Sequence, residues 1–491
     1  MLLVLCPFLA ACGYGASADP QAGTLRVGFG IGPTARASGV TVLTEFLYAE
    51  PLIVHDWSGR PQRKLAQSWQ WNTGGTVLTL RLKPGVRFHD GSLLTADTVV
   101  QFVRQHAARE RPGFRYVTDV TAPDAQSVAI HLSRPDFFVL PELSELRLIH
   151  PDSNDLGTGP FRLITRTPVV EAERFDGYHE GRAALPGVRI VTYDTQRSAW
   201  AALMRGEVDA VQEVNRDSVE FMEASTKIAT YTSVQPFYIP LLFNVRHEAL
   251  RHVEVRRAIA QALDRTAIIE RAMRGRGRLA ESPVWPFHWA HPADPPRHSY
   301  DVAGAAAALD AAGFRLPGAG RPGEQRRRFA IRCMVYNEDP QFERIALMVQ
   351  RQLFEVGVAL EIELVDLRTF SERAARGDFD ALLIRVQAGR AMDYTYRFWR
   401  SAEAGRPAMQ NSGYRGADAI LDELRHSVDD DDTRRSVSKL LQRFHDDVPA
   451  ALIAWTEVTR AVDARYDVGT DGNQDPLFNI WKWRPVRASR R

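Results

Sequence analysis

The stretch 391–400, AMDYTYRFWR, sets one carboxylate, two guanidinium groups and four aromatic rings within ten residues. These groups can hold a small solute without breaking a bond. Asp393 is a counter-ion for an ammonium group, the arginines can donate to a carboxylate, and the rings can wall a pocket. The plainer reading of Asp393 is local: it precedes a helical turn, where a short acidic side chain suits a helix cap. Tyr396 and Trp399 suit a pocket wall and a core face equally. Tyr238, Phe237 and Trp289 are further candidates for the wall, as are Phe29 and Thr34 in the loop after the first strand.

Bond-making chemistry finds no such constellation. There is no G-x-S-x-G elbow and no Walker A loop, so any ATPase must be another polypeptide. His247-Glu248 begins like H-E-x-x-H, but Arg251 stands where the second histidine should be, and His252 is one residue late. His288 and His291 lie three apart in a Pro/Trp-rich loop, with no Cys or carboxylate beside them to complete a metal set. Asp429 to Asp432 is an unbroken run that lacks the alternating ligands of a calcium loop and reads as a polar helix start before Thr433. Gly28-Phe29-Gly30-Ile31-Gly32 follows a strand, but Pro33 spoils a dinucleotide fingerprint, and a loop at the mouth of a cleft fits better. The expectation is a binding protein, not an enzyme, with no cofactor and no metal.

These candidates need a scaffold, and the bulk numbers bound it. The chain has 491 residues, 45% of them hydrophobic and 25% charged, with net charge +2. That is globular, large enough for two or three domains, and without the basic excess that nucleic acid demands. Basic clusters at 326–328 and 490–491 read as solvated faces. Of the three cysteines, Cys333 sits in an apolar strand pattern as a small buried hydrophobe. Residues 1–11 are almost wholly apolar yet far too short to span a bilayer. They end in Leu9-Ala10-Ala11-Cys12, small residues before a cleavage point, as in a signal peptide. No Lys or Arg precedes the run. Residues 13–22 are rich in Gly, Ala and Ser, as a flexible tether would be.

Two later stretches look alike. VRIVTYDTQRSAWAALMRGEVDAV begins at Val188, and ALEIELVDLRTFSERAARGDFDALLIRV at Ala359. Each reads as strand, short helix, Arg-Gly stop, then an acid-x-Asp-Ala run into a second strand. Arg205-Gly206-Glu207-Val208-Asp209-Ala210 matches Arg376-Gly377-Asp378-Phe379-Asp380-Ala381 in type at every position. Glycine closes each helix, and each βαβ unit implies parallel pairing with a right-handed crossover. One unit in each half suggests two lobes of similar α/β design.

The stretch 65–103 is the most specific of all. Leu78, Leu80 and Leu82 alternate with polar residues, a half-buried strand. Pro84-Gly85 turns the chain, Val86 and Phe88 resume the alternation, and His89-Asp90-Gly91 turns it again. Thr95 caps a helix with Asp97 in its first turn, and Val99, Phe102, Val103 and His106 follow at helical spacing. LAQSW followed by the K-x-G-V-x-F-H-D-G-x-x-L-T-A-D-x-V-x-F run resembles the signature of family 5 solute-binding proteins. These are extracytoplasmic receptors of ABC importers for dipeptides, oligopeptides, nickel and some sugars. Further matches are Gly157-Thr158-Gly159-Pro160-Phe161, Leu242-Phe243-Asn244, Val255 to Ile259, and Glu281-Ser282-Pro283 through Trp289, so the resemblance covers nearly the whole mature chain.

The resemblance implies an α/β fold of the periplasmic binding protein type (type II, cluster C), with two α/β lobes joined by a two-crossing hinge plus a small inserted domain. Lobe I is expected at 23–48, 157–245 and 455–491, the inserted domain at 49–156, and lobe II at 246–454, after a leader and tether at 1–22. The segment 109–155 is short for the family, so the inserted domain should be compact. The implied function is capture of a di- or oligopeptide by hinge closure and delivery to an ABC permease in the cytoplasmic membrane, by a monomer. Peptide-binding members carry an acidic D-P motif whose aspartate can hold the ligand amine. Asp393 is the best match here, although Tyr394 replaces the proline. Leu9 to Cys12 resembles a lipoprotein box, which would lipidate Cys12 and anchor the exported protein. The alternatives are a receptor for nickel in an organic chelator, a sensory receptor, and an exported peptide hydrolase, which the missing nucleophile and metal motifs weigh against.

Overall fold

The computed structural model describes residues 23–30, 38–109, 111–214, 218–219, 222, 225–318, 327–401, 409–469 and 474–486. Its spine is a pair of long antiparallel strands, Ile228–Phe243 and Ala450–Asp463. They pair from Ile228 opposite Asp463 to Leu242 opposite Ala450, with register shifts between Val234 and Tyr238 and between Ile239 and Pro240. At one end Ala461 and Val462 pair with Ala210–Val211; at the other Leu241 to Phe243 pair with Ala381–Leu383. The spine therefore belongs to both halves of one 12-stranded sheet.

The two halves repeat one arrangement. Leu25–Gly30 lies between Gly187–Tyr193 and Ala210–Val211, parallel to both; Phe329–Tyr336 lies between Val358–Val365 and Ala381–Leu383, again parallel to both. The strands of each βαβ unit thus flank a third strand instead of pairing with each other, a correction to the direct pairing that a βαβ pattern suggests. The repeated aspartate explains the repeated motif. Asp209 accepts from Arg26 N at 2.8 Å and Arg26 Nε at 2.9 Å, and Asp380 accepts from Arg332 N at 2.9 Å and Arg332 Nε at 3.2 Å. In each half an aspartate shortly after the helix ties the returning strand to the central one. Gly206 (φ 73°) and Gly377 (φ 75°) supply the left-handed turn that ends the helices. Cys333 lies on the central strand of the second half, fully buried, and burial pushes its thiol up to about 12.

Residues 66–132 build a separate four-stranded antiparallel sheet, in the order Ala66–Trp71, Val77–Leu82, Ser127–Leu132, Val117–Asp124. Leu78, Leu80 and Leu82 point into its core with Val99 and Val103 of the helix Ala96–Ala107. The Thr95 hydroxyl accepts from Thr98 N at 3.3 Å, the expected cap. The chain returns from this region at Gly157-Thr158-Gly159, packed against residues 48–49. A Cβ at Gly157 would fall 1.9 Å from the Tyr48 carbonyl oxygen, and one at Gly159 2.7 Å from the Tyr48 carbonyl carbon, so only glycine fits. His89 of the signature turn docks on this segment: its backbone N donates to Gly157 O at 3.0 Å, and its ring Nε2 lies 3.0 Å from Gly159 O. No helix among the described residues is long and apolar enough to cross a membrane.

Candidate functional site

Asp393 is the first residue of the helix Asp393–Trp399. The residue in the capping position is Met392, held at φ 64° with no side-chain cap, so Asp393 is not the helix cap that its spacing suggests. Its side chain is 8% exposed. Burial, reinforced by the nearby negative charge of Glu145 and opposed by Arg397, pushes its carboxyl up to about 7.

The groups around Asp393 come from distant parts of the chain. Glu145 ends the helix Val139–Glu145 and accepts from Tyr394 OH at 3.3 Å. Its side chain is open to solvent, yet desolvation is the main cause of its raised pKa. Arg147 stands two residues on, with its guanidinium 3.7 Å from the centre of the Phe46 ring, and burial lowers its pKa to about 10. Phe46 packs in turn on Phe478, 4.6 Å between ring centres. Arg390, three residues before Asp393, lies over Trp57 at 4.9 Å, and burial lowers its pKa too. The turn 55–60 sits directly on it: a Cβ at Gly59 (φ 78°) would fall 2.1 Å from Arg390 O. His55 of that turn places Nδ1 2.9 Å from Ser144 Oγ, and burial, with Arg390 nearby, lowers its pKa to about 4.

Three stretches supply these charged groups and the rings against them: the turn 55–60 with residues 144–147, residues 390–394, and Phe46 with Phe478. They carry two acids shifted towards neutrality and two guanidinium groups whose pKa burial lowers. Such a surface can take an ammonium group at Asp393 and Glu145 and carboxylates at Arg147 and Arg390.

A fully buried ion pair joins the stretch 112–138 to the helix Asp418–Arg425. Arg425 Nη2 lies 2.6 Å from Asp136 Oδ2, with side-chain exposures of 2% and 0%, and donates to Pro112 O at 2.6 Å. Tyr396 belongs to this junction. Its ring is 5.1 Å from Phe138 and 5.2 Å from the Arg425 guanidinium, and its hydroxyl donates to Asp422 at 3.1 Å.

The other residues singled out from the sequence are dispersed. Trp399 and Tyr238 are buried at 0% and 0% and joined by a 2.6 Å hydrogen bond from the indole N to the phenol oxygen, so neither shows a surface to solvent. Trp289 is half-buried, with Arg60 stacked on it at 3.5 Å and Arg434 at 5.3 Å. Phe29 is 3% exposed in the core with Leu25 and Val27. Phe237 is half-buried, with Arg385 5.7 Å from its ring. Thr34 and Cys12 lie outside the described residues. His288 is buried, its Nδ1 accepting from Ala290 N at 3.1 Å, and no group of three metal-binding side chains occurs among the described residues. Sequence reasoning missed Glu145, Arg147, Arg390 and Trp57. The available signal was a charge set in an apolar run, Leu146-Arg147-Leu148-Ile149, and an arginine in the glycine-led turn Gly389-Arg390.

Comparison with known proteins agrees with this architecture. The pattern of the bacterial extracellular solute-binding proteins, family 5 (middle part), matches residues 60–406. The oligopeptide-binding protein AppA of Bacillus subtilis (strain 168) is 25% identical over an alignment of 533 positions, covering 98% of this chain and 97% of its own. The structure of that protein in complex with a nonapeptide superposes with a TM-score of 0.75 at 21% identity, covering 95% of this chain and 99% of that one. The crystal structure of NikZ from Campylobacter jejuni in complex with Ni(L-His) gives a TM-score of 0.77 at 18% identity, covering 94% and 99%.

Proposed function

The chain belongs to the bacterial extracellular solute-binding proteins of family 5, and we propose that it captures a small zwitterion, a di- or oligopeptide, and hands it to the membrane permease of an ABC importer. The observation that supports the reading is Asp393, a buried carboxylate with no ion pair among the described residues, whose pKa the neighbouring Glu145 raises further, with Arg147 two residues on from Glu145. An amine and a carboxylate of one solute would neutralise charges that the protein leaves uncompensated. The relative AppA is named for oligopeptides, and its structure holds a nonapeptide.

In this reading lobe I comprises 23–48, 157–245 and 455–491, the inserted domain 49–156, and lobe II 246–454. The long strands Ile228–Phe243 and Ala450–Asp463 are the two hinge crossings. Closure is an equilibrium drawn over by contacts that exist only when the lobes meet on the ligand. The chain acts outside the cytoplasmic membrane as a monomer, with residues 1–22 as leader and tether and Cys12 as the lipidated anchor. Globomycin sensitivity of its processing and loss of membrane attachment in Cys12→Ser would bear out the anchor.

Calorimetry of the purified chain against a peptide panel tests the reading, together with its pH dependence. An ammonium ligand needs Asp393 ionised, so affinity should rise as pH rises through about 7. A folded protein that binds no peptide at any pH would sink the peptide version. One observation favours a second reading. Two unpaired guanidinium groups also suit a nickel chelate bearing carboxylates, as the nickel complex of NikZ illustrates for that relative. Elemental analysis of the purified protein separates the two.

A further inference from the structure

The turn 55–60 is seated on the loop 282–291. Trp289 N donates to Ser58 O at 2.9 Å, and Trp285 Nε1 donates to Trp57 O at 2.8 Å. The Trp57 ring lies 5.0 Å from Trp285 and 5.1 Å from Phe287. Arg60 stacks on Trp289 at 3.5 Å and donates to Asp430 at 2.7 Å. His288 lies under this seat, 3% exposed. A Cβ at Gly59 would fall 2.8 Å from its Cδ2, so the turn backbone covers the ring edge that carries Nε2.

The two histidines of the loop differ in what a second proton would meet. His288 Nδ1 accepts from Ala290 N at 3.1 Å, which fixes its proton on Nε2. That Nε2 is buried without a hydrogen-bond partner among the described residues. Charging the ring would set a proton on Nδ1 against the Ala290 N–H and bury a cation that neither nitrogen can share. His291 is arranged the other way. Its Nδ1 lies 2.9 Å from Pro292 O and its Nε2 3.2 Å from Ser282 Oγ, which itself donates to Val284 O at 3.2 Å. Both nitrogens of His291 therefore face an oxygen, and a second proton needs no rearrangement. The charges around His288 oppose a proton there. Arg60 acts on it, as do His55 and His291 once protonated, and the one acid among them is Asp56. Asp56 is taken up by Ser58 N, Ser58 Oγ, Arg60 N and Gln62 Nε2. Further out, Arg390 lies over Trp57, Arg434 over Trp289, and Asp430 is held by Arg60.

We propose that the seat of the turn 55–60 on the loop 282–291 is a pH-sensitive latch, formed while His288 is neutral and opened when its ring takes a second proton. Burial, with the neighbouring cations, lowers the pKa of seated His288 to about 3. Below the ordinary value of 6.5 the unseated ring takes a proton that the seated ring refuses, so seating weakens about tenfold for each pH unit below 6.5. In the lobe assignment proposed above, the turn belongs to the inserted domain and the loop to lobe II, so an open latch favours an open cleft. The latch is a property of the ligand-free chain, and its failure would leave solute binding untouched.

Hydrogen exchange of the full ligand-free chain reads the seat directly, because the Trp289 N–H is one of its donors. After correction for the intrinsic dependence of amide exchange on pH, the segments 55–60 and 285–291 should lose about tenfold in protection between pH 7.5 and 5.5. The strand Ala450–Asp463 should keep its own protection. His288→Asn keeps an acceptor for Ala290 N and cannot titrate, so it should hold full protection at both pH values. His291→Asn should behave as the parent. Gly59→Ala, whose methyl would fall 2.1 Å from Arg390 O, should leave both segments unprotected at both pH values. Equal protection of the parent at pH 7.5 and 5.5 overturns the proposal, as does a loss that persists in His288→Asn or vanishes in His291→Asn. If His288→Asn does not fold, Gly59→Ala decides: a further tenfold loss on acidification in that variant overturns the latch, and no further loss supports it.

Discussion

Glu50 and Asp393 are both buried carboxylates, 3% and 8% exposed, and they ionise in opposite senses. At Glu50 burial opposes ionisation, but His179 and Lys64 overcome it and hold the carboxyl down at about 2. It accepts from Thr158 Oγ1 at 2.9 Å, Tyr178 OH at 2.8 Å and His179 Nε2 at 2.9 Å, with Lys64 Nζ at 3.0 Å. At Asp393 burial raises the pKa to about 7, and the charge of another acid, Glu145, adds to the rise against Arg397. The first region is a completed polar knot where the chain passes residues 48–50 and returns at 157–159. At the second the fold supplies no ion pair among the described residues. Burial alone says little about role; whether the fold itself supplies the counter-charge says much more.

The largest expected effect comes from breaking the completed knot. Glu50→Ala leaves His179 and the Thr158 hydroxyl without their carboxylate around a void, while Lys64 and Tyr178 keep Glu180, and should cost about 3 kcal/mol or more in urea unfolding. The knot also predicts a pH response. The folded pKa of Glu50 lies below the ordinary value of 4.5, so its contribution is complete above 4.5 and falls away as pH drops towards 2. Acid unfolding of Glu50→Ala should therefore be flatter across that range than the parent's. Equal slopes would mean that the knot does not control acid stability.

The junction of Arg425 with Asp136 sharpens the comparison, because it is complete yet ties the stretch 112–138 to the helix Asp418–Arg425, which the proposed closure would bring together. Arg425→Ala leaves Asp136 buried without its partner. We expect a loss of about 3 kcal/mol in unfolding, and, if the junction forms on closure, a loss of affinity that is the same for every ligand. Small-angle scattering of the ligand-bound protein reads the second effect directly: a larger radius for the variant than for the parent.

How far the chain could be read without coordinates follows the same division. The signature stretch was legible because its strand, turns and cap obey local rules, and Leu78, Leu80, Leu82 and Thr95 stand where alternation and capping put them. The repeated Arg-Gly-x-x-Asp-Ala motif was legible as a repeat, though its use in tying Asp209 to Arg26 and Asp380 to Arg332 needs contacts across long stretches of chain. The candidate site was half legible. Asp393 opens its helix, but Tyr396 and Trp399, one and two helical turns on, share the face that the helix turns into the protein. Helical spacing marks a face and cannot tell a core face from a pocket face. Glu145 and Arg147 are some 250 residues from Asp393 (393 less 145 is 248), and no local pattern joins them.

Asp393→Asn tests the incomplete side and should separate stability from function. Its folded pKa lies above the ordinary value of 3.8, so the neutral form is favoured in the folded state. Between about 4 and 7 the folded protein holds the extra proton, and stability falls as pH rises through that window. Removing the charge should then raise the stability of the ligand-free protein by about 1–3 kcal/mol at pH 8, and have almost no effect at pH 4. The same change should weaken an ammonium ligand by about tenfold or more at pH 8. A variant less stable than the parent at pH 8 would show that Asp393 has a counter-charge within the fold, and the contrast with Glu50 would collapse.

The smallest effect belongs to the signature helix. Thr95→Ala removes one cap, whose hydroxyl accepts from Thr98 N at 3.3 Å on an exposed surface. The cost should be about 1 kcal/mol in unfolding. Ligand affinity should not change, because the helix Ala96–Ala107 packs on the four-stranded sheet and contributes none of the charged groups named around Asp393. Calorimetry that found a weakened ligand in this variant would tie the signature region to binding. The family's most specific stretch would then act on the cleft through the region that carries Trp57 and Arg147, and would no longer count as scaffold alone.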